Sequence, residues 1–321
     1  MNDFRIPLGT WVEDIIDFVT DTLGFLFDFV ATVVSGLYDV VDAVFSTPPF
    51  WAVIVVLAVL GFAARGWKFA IGTVIGLTLI VGVDQWDNAM DTLALVLVAS
   101  IIAILIAVPL GIAAAKNRTT SNFLRPILDF TQTMPAFVYL IPALILFGIG
   151  IVPGVVATII FAVAPGVRLT ELGIRGVDSE TVEAGHAFGA KPGQILRGIQ
   201  LPLAMPTIMA GVNQVIMLAL SMAVLAGIVG ADGLGKIVVQ SVSTVNLALG
   251  VEAGLGVVII AVFLDRVTAA LGSPSQYRSS LLGVLSRRRV AAGSATHEVD
   301  APAEQAEREV ASARRAPAVM R

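Results

Sequence analysis

From residue 130 to residue 167 the chain runs for 38 residues without a charged side chain. A bilayer core of about 30 Å needs about 20 apolar residues per helix, so this run is too long for one crossing and reads as two. The break falls at Gly148-Ile149-Gly150-Ile151-Val152-Pro153-Gly154. Five further apolar runs bring the expectation to about seven transmembrane helices. Residues 49–64 and 69–83 are short and joined by Arg65-Gly66-Trp67-Lys68, a tight hairpin whose cations and indole suit an interface. A re-entrant pair there would leave the parity unchanged. Residues 92–115 carry Pro109, which is expected to kink that helix. Residues 206–229 and 250–271 complete the set. The fold class expected is all-α, a polytopic membrane protein.

Composition agrees. Of 321 residues 57% are hydrophobic and 14% charged, with a mean hydropathy of +0.89, where a soluble domain carries about 25% charged residues. The 222 residues from 50 to 271 hold only 22 of the charges, and the two ends hold the rest. The absence of cysteine excludes disulfides, thiolate metal sites and thiol nucleophiles, and two histidines leave little for a metal centre. Alternate segments between spans divide the basic residues unequally. One set holds Arg65, Lys68, Lys116, Arg118, Arg125, Arg168, Arg175, Lys191, Arg197, Arg266 and the Arg287-Arg288-Arg289 tail; the other holds Arg5 and Lys236. Excess cations mark the cytoplasmic side, which sets the N-terminus outside and the C-terminus inside.

Residues 1–47 lack the basic start and short apolar core of a signal peptide. Glu13, Asp14, Asp17, Asp21, Asp28, Asp39 and Asp42 fall largely on one helical stripe, opposite Trp11, Ile15, Phe18, Phe25, Phe29 and Val33. Two readings stand: an acidic amphipathic helix lying on the outer face of the bilayer, or a helix packed against the spans. The domain organisation is then 1–47 as this segment, 48–83 as the hairpin, 84–272 as the core, and 273–321 as a disordered cytoplasmic tail.

About 35 residues separate the fifth and sixth spans, long for a membrane bundle. Asp178 or Ser179 can cap a short helix through Ala187, with acids in its first turn. Lys191-Pro192-Gly193 turns the chain, Gln194 to Leu201 reads as a further short amphipathic helix, and Pro202 and Pro206 open the next span. A small-residue helix projecting below the membrane is shaped to dock into a partner.

Here the residues carry a resemblance. Glu183-Ala184-Gly185, three residues, Gly189, nine residues, Ile199, one residue, Leu201-Pro202 resembles the EAA loop of permease subunits of binding-protein-dependent ABC importers, with Gly185 where Ala is usual. The text from Gln200 to Met222, and Thr131-Gln-Thr-Met-Pro-Ala-Phe-Val-Tyr-Leu-Ile-Pro142, is similar to the glycine betaine/proline branch. The resemblance covers about residues 84–272. It implies the type I ABC importer fold, with the loop at about 178–202 coupling to a separate cytoplasmic ATPase. It assigns Glu183, Ala184, Gly185, Gly189, Ile199, Leu201 and Pro202 to that role. ATP and Mg²⁺ are then bound by the ATPase, and this chain holds no cofactor and is not itself an enzyme. The implied partners are that ATPase, an extracytoplasmic solute-binding protein, a second permease subunit forming a homodimer, and the lipid bilayer, with no nucleic acid. The implied cargo is glycine betaine or proline betaine, with choline or carnitine as near alternatives.

Gly230-Ala-Asp-Gly-Leu-Gly235-Lys236-Ile237 nearly spells a phosphate-binding loop, but Ile237 stands where a Ser or Thr would bind Mg²⁺, and the segment follows a membrane helix rather than a strand. An ion-gradient-driven carrier is the competing class. It needs buried ionisable relays, whereas Asp84, Asp129, Glu252 and Asp265 all sit near span ends. An ABC permease for another small polar solute is the other alternative. Gly72-x-x-x-Gly76 and Gly250-x-x-x-Gly254 are candidates for close helix packing. A quaternary ammonium is commonly held by aromatic rings, yet Tyr139, Trp86 and Trp51 are the only candidates and form no obvious cage. Met134, Tyr139, Asn213, Gln214, Met217, Ser221 and Met222 are the candidates for lining the path; ordinary helix packing is the competing reading of the same residues.

Overall fold

The computed structural model describes residues 7–272; the expectation for the tail at 273–321 lies outside the described residues. The described chain is helical throughout, without strands. Helix α1 (Leu8–Ser46) is continuous over 39 residues, about 58 Å. Helices α2 (Phe50–Arg65) and α3 (Trp67–Gly82) form the expected hairpin, turned at Gly66 with φ +92°. At 16 residues each they are about 24 Å long, short of the bilayer core. Among the described residues five helices can cross a membrane by length and composition, or six when the bent pair described below is one crossing, against about seven expected: α1 counts, whereas α2 and α3 fall short.

The centre consists of α4 (Trp86–Lys116), α7 (Ile151–Arg175) and α10 (Leu201–Ala226). Lipid tails are as apolar as leucine, so helices associate in a bilayer by close van der Waals contact, which small residues permit. A Cβ on Gly111 would lie 2.5 Å from Thr170, and one on Gly166 2.7 Å from Ala107. One on Gly211 would lie 2.9 Å from Leu169, and one on Gly154 2.7 Å from Ala226. The backbones of α7 and α10 therefore approach near both ends of their contact, and those of α4 and α7 approach around Ala107 and Gly111. Helix α12 (Leu247–Gly272) packs on α10 and on α11 (Leu234–Ser243), and the hairpin leans on α12 through stacked Phe69 and Phe263. Of the two glycine pairs, Gly76 meets Ile259 and Gly250 meets Ser241, while Gly72 and Gly254 meet nothing.

The fourth expected span is not one straight helix. Helix α5 (Arg118–Thr133) begins well before it, in a segment expected to be a loop, and turns by 105° into a 3₁₀ turn (Ala136–Tyr139) and α6 (Leu140–Phe147). Pro135 is the physical cause. It has no N–H to donate and pushes the preceding residue out of the helical region; Met134 is extended, at ψ 138°. The break between α6 and α7 falls where expected, with Gly148 at φ +76° and Gly150 at φ +138°. Pro109 lies inside an unbroken α4.

Helix α1 lies along α4, α6 and α7. Val30, Tyr38, Val41 and Phe45 pack on the core, and Phe27 meets Phe147 edge-on. The opposite stripe of Trp11, Ile15, Phe18, Phe25, Phe29 and Val33 is exposed. The helix is thus both amphipathic and packed, and it is long and apolar enough to count among the candidate crossings.

Candidate functional site

The loop after α7 is built by local rules. Asp178 caps α8 (Ser179–Ala187), its carboxylate accepting from the Glu180 N–H at 2.9 Å. The helix closes with the N–H of Ala190 donating to the Gly185 carbonyl and that of Gly189 to the His186 carbonyl. This double closure needs a left-handed residue at its turn, and Gly189 supplies it at φ +77°. The chain then continues helically from Pro192 to Val229, through α9 (Pro192–Ile195), a π turn (Leu196–Gln200) and α10. The separate short helix expected at 194–201 is instead the foot of α10, because Pro202 falls in the first turn of α10, where a missing N–H is tolerated.

The motif residues divide by what they touch. Glu183 and Ala184 are exposed on α8. Gly185 is buried against the foot of α10: a Cβ there would lie 2.8 Å from the Ile199 methyl end and 3.4 Å from Ile195. Ile199 thus holds the helix, and Leu201 packs with Ile174, Leu196, Ala204 and Ile208. Pro202 is exposed. One residue the sequence reasoning passed over stands out. Phe188, at the end of α8, is 92% exposed, more than any other large apolar side chain among the described residues. Its signal was an aromatic between Ala187 and Gly189 in an otherwise small and polar loop.

A second feature missed was an ionic joint at the same end of the bundle. Glu171, 8% exposed, accepts from the Ser121 hydroxyl at 2.7 Å and from Arg125 at 3.4 Å, and pairs with Arg175 at 3.2 Å. Arg175 also donates to the Ala114 carbonyl at 2.7 Å, and Arg168 pairs with Asp129. The joint ties α5 to α7 and α4. Its partners lie 46 and 50 residues apart, so no local pattern announces it. Glu171→Ala leaves a buried hydroxyl and two half-exposed guanidinia without their acceptor. The expected cost, discounted for solvent screening, is about 2 kcal/mol, read as an apparent Tm lower by roughly 4–8 °C in detergent. Glu171→Gln should lose less.

The candidate path residues do not form one constellation. Met134, Tyr139 and Met222 pack together with Phe161 beside them, and the Tyr139 hydroxyl donates to the Thr131 carbonyl at 2.8 Å. Asn213 faces α12: its amide donates to Asp265 at 3.0 Å and accepts from Thr268. Gln214, Met217 and Ser221 share another face of α10, which no described element covers fully. Trp86 lies by Phe50 and Tyr139 by Phe161, so these rings do not converge.

The lookalike of a phosphate loop is a packing device. Its N–H groups are used within the fold, Leu234 donating to the Thr92 hydroxyl at 2.8 Å and Lys236 to the Gly233 carbonyl. Asp232 accepts from the Lys236 ammonium at 2.7 Å and holds that group above the ordinary lysine range.

Residues 107–273 match the family described as the binding-protein-dependent transport system inner membrane component. The chain belongs to that family. The permease is 46% identical over 275 residues to the glycine betaine/carnitine transport permease protein GbuB of Listeria monocytogenes, covering 84% of this chain and 97% of that one. It is 44% identical to the glycine betaine/proline betaine transport system permease protein ProW of Escherichia coli, covering 86% and 78%. A choline transport system permease protein of Bacillus subtilis, OpuBB, is 33% identical over 54% of this chain. Among solved structures, the inward-facing MetNI methionine ABC transporter aligns at a TM-score of 0.53 and 22% identity, covering 57% of this chain and 91% of that one. That likeness shows the fold. The permease is thus a multi-pass inner membrane component with the type I ABC importer fold, as the EAA spacing led one to expect.

Proposed function

We propose that this permease forms the translocation path of an ATP-driven importer for compatible solutes of the glycine betaine class, and couples that path to a separate cytoplasmic ATPase. The observation that carries the reading is the coupling loop. A capped helix with Glu183, Ala184 and Phe188 exposed is seated through Gly185 on the foot of one helical run from Pro192 to Val229. A push on α8 is therefore delivered to α10, and through its close contacts to α7 and α4. In water an exposed phenyl ring is stabilised by burial against a partner, and the ATPase supplies that surface. The names of the relatives favour betaine-like cargo. Two copies pair around the path, each resting on one ATPase that binds ATP and Mg²⁺; closure of the ATPases opens the path outward, where the binding protein delivers solute. The basic end of the bundle faces the cytoplasm, with the N-terminus outside.

The test is uptake of labelled glycine betaine into proteoliposomes holding the permease with its ATPase and binding protein. ATP-dependent uptake that resists an ionophore is expected. Uptake that ignores ATP and vanishes with the ionophore would establish a gradient-driven carrier instead. ATPase stimulation by another solute without betaine uptake would keep the architecture and replace the cargo.

A further inference from the structure

Asn213 and Gln214 are adjacent amides on α10 with opposite fates. Asn213 is satisfied inside the fold by Asp265 and Thr268. Gln214 is exposed, and no described residue hydrogen-bonds to its side chain. Its depth is set by its neighbour: Val215 packs on Ala103 and Ala162, close to the midpoints of α4 and α7. A free amide at that depth cannot face hydrocarbon without cost, because nothing there exchanges hydrogen bonds with it. Its face of α10 carries Met217 one turn on and Ser221 beyond, and the Ser221 hydroxyl is already committed to the Met217 carbonyl at 3.1 Å. Gln214 is thus the one uncommitted polar side chain on the middle of that face.

Resting on the importer reading above, we propose that Gln214 contacts the solute and selects for its carboxylate. A quaternary ammonium has no N–H and accepts nothing, so the carboxylate is the hydrogen-bonding group such a zwitterion offers. The Gln214 NH₂ supplies two donors to it, while Met217 presents a soft surface to the methyl groups. A neutral donor suits a pathway. An arginine at mid-depth would be costly to bury and would hold the carboxylate too firmly to release it.

The experiment uses the full complex in proteoliposomes with labelled glycine betaine, comparing wild type with Gln214→Leu and Gln214→Glu. Gln214→Leu is expected to lower the maximal uptake rate by roughly tenfold, the loss of one hydrogen bond to a charged group, with KM held by the binding protein. Gln214→Glu should fall further, since its carboxylate repels that of the solute, and both complexes should elute intact on gel filtration. Wild-type kinetics in Gln214→Leu, or loss of uptake only through dissociation of the complex, would overturn the assignment. Wild-type permease that takes up no betaine would overturn the betaine cargo and this assignment together, whereas normal wild-type uptake with an unaffected Gln214→Leu would overturn this assignment alone.

Discussion

Gly185→Leu is expected to lower solute uptake by about 100-fold or more while the protein still inserts and unfolds near the wild-type temperature. The site explains why the effect is selective. Gly185 lies between α8 and the foot of α10, where even a Cβ would come within 2.8 Å of Ile199. An isobutyl group must lift the whole helix away from Ile195 and Ile199. The bundle does not depend on that contact, since α4, α7 and α10 meet elsewhere, but the position of Glu183 and Phe188 does. Displacement of a docking element by about an ångström is enough for a loss of that order. Gly185→Ala is the informative control. The nearest atom is the far end of a flexible isoleucine, which can swing aside, so alanine, the usual residue at this place in the EAA pattern, should retain most activity. Uptake and solute-stimulated ATPase activity, measured beside thermal unfolding, check both variants. Near-normal uptake by Gly185→Leu would remove the coupling role from α8.

The largest loss of stability is expected at the C-terminal end of α10, where a 3₁₀ turn (Gly227–Val229) crosses the start of α11. A Cβ on Gly227 would sit 2.3 Å from the Gly235 carbonyl carbon and 2.4 Å from the Lys236 nitrogen. One on Gly235 would sit 2.5 Å from the Ala223 oxygen and 2.7 Å from that of Val224. These are backbone atoms in helices and cannot rotate away, unlike the isoleucine at Gly185. Gly227→Ala and Gly235→Ala should therefore each cost about 3 kcal/mol, the upper end for overpacking, with a marked fall in the yield of monodisperse protein. Gly254→Ala, which meets nothing within 4 Å, should be silent. Equal yields for Gly235→Ala and Gly254→Ala on fluorescence-detected gel filtration would contradict the packing argument.

Much of this permease was legible because membrane solvent makes local rules strict. Lengths of uncharged sequence marked the crossings at α4, α7, α10 and α12 but passed over α1, the glycines at 148 and 150 marked the break after α6, and Asp178 and Gly189 marked the ends of α8. The EAA spacing pointed to the family, and it carries the proposal that α8 is the coupling element. The bend at Pro135 had its local cause in plain view, but its 105° angle depends on where α5 is anchored, and that anchor is Glu171, 46 residues beyond Arg125. The glycines at 227 and 235 are only eight residues apart, yet their purpose was hidden too, because Gly235 belongs to a stretch that resembles a nucleotide motif until α10 and α11 are laid together.

The sequence by itself determined that this chain is a helical membrane protein with a long loop carrying a short capped helix between its fifth and sixth apolar runs, because span length, capping and turn chemistry act over a few residues. Only the tertiary structure decided which side of each helix is used. Asn213 and Gln214 are alike in a sequence, one residue apart and both amides; one turns to Asp265 and the other is left open, because that choice belongs to the packing of α10 against α12.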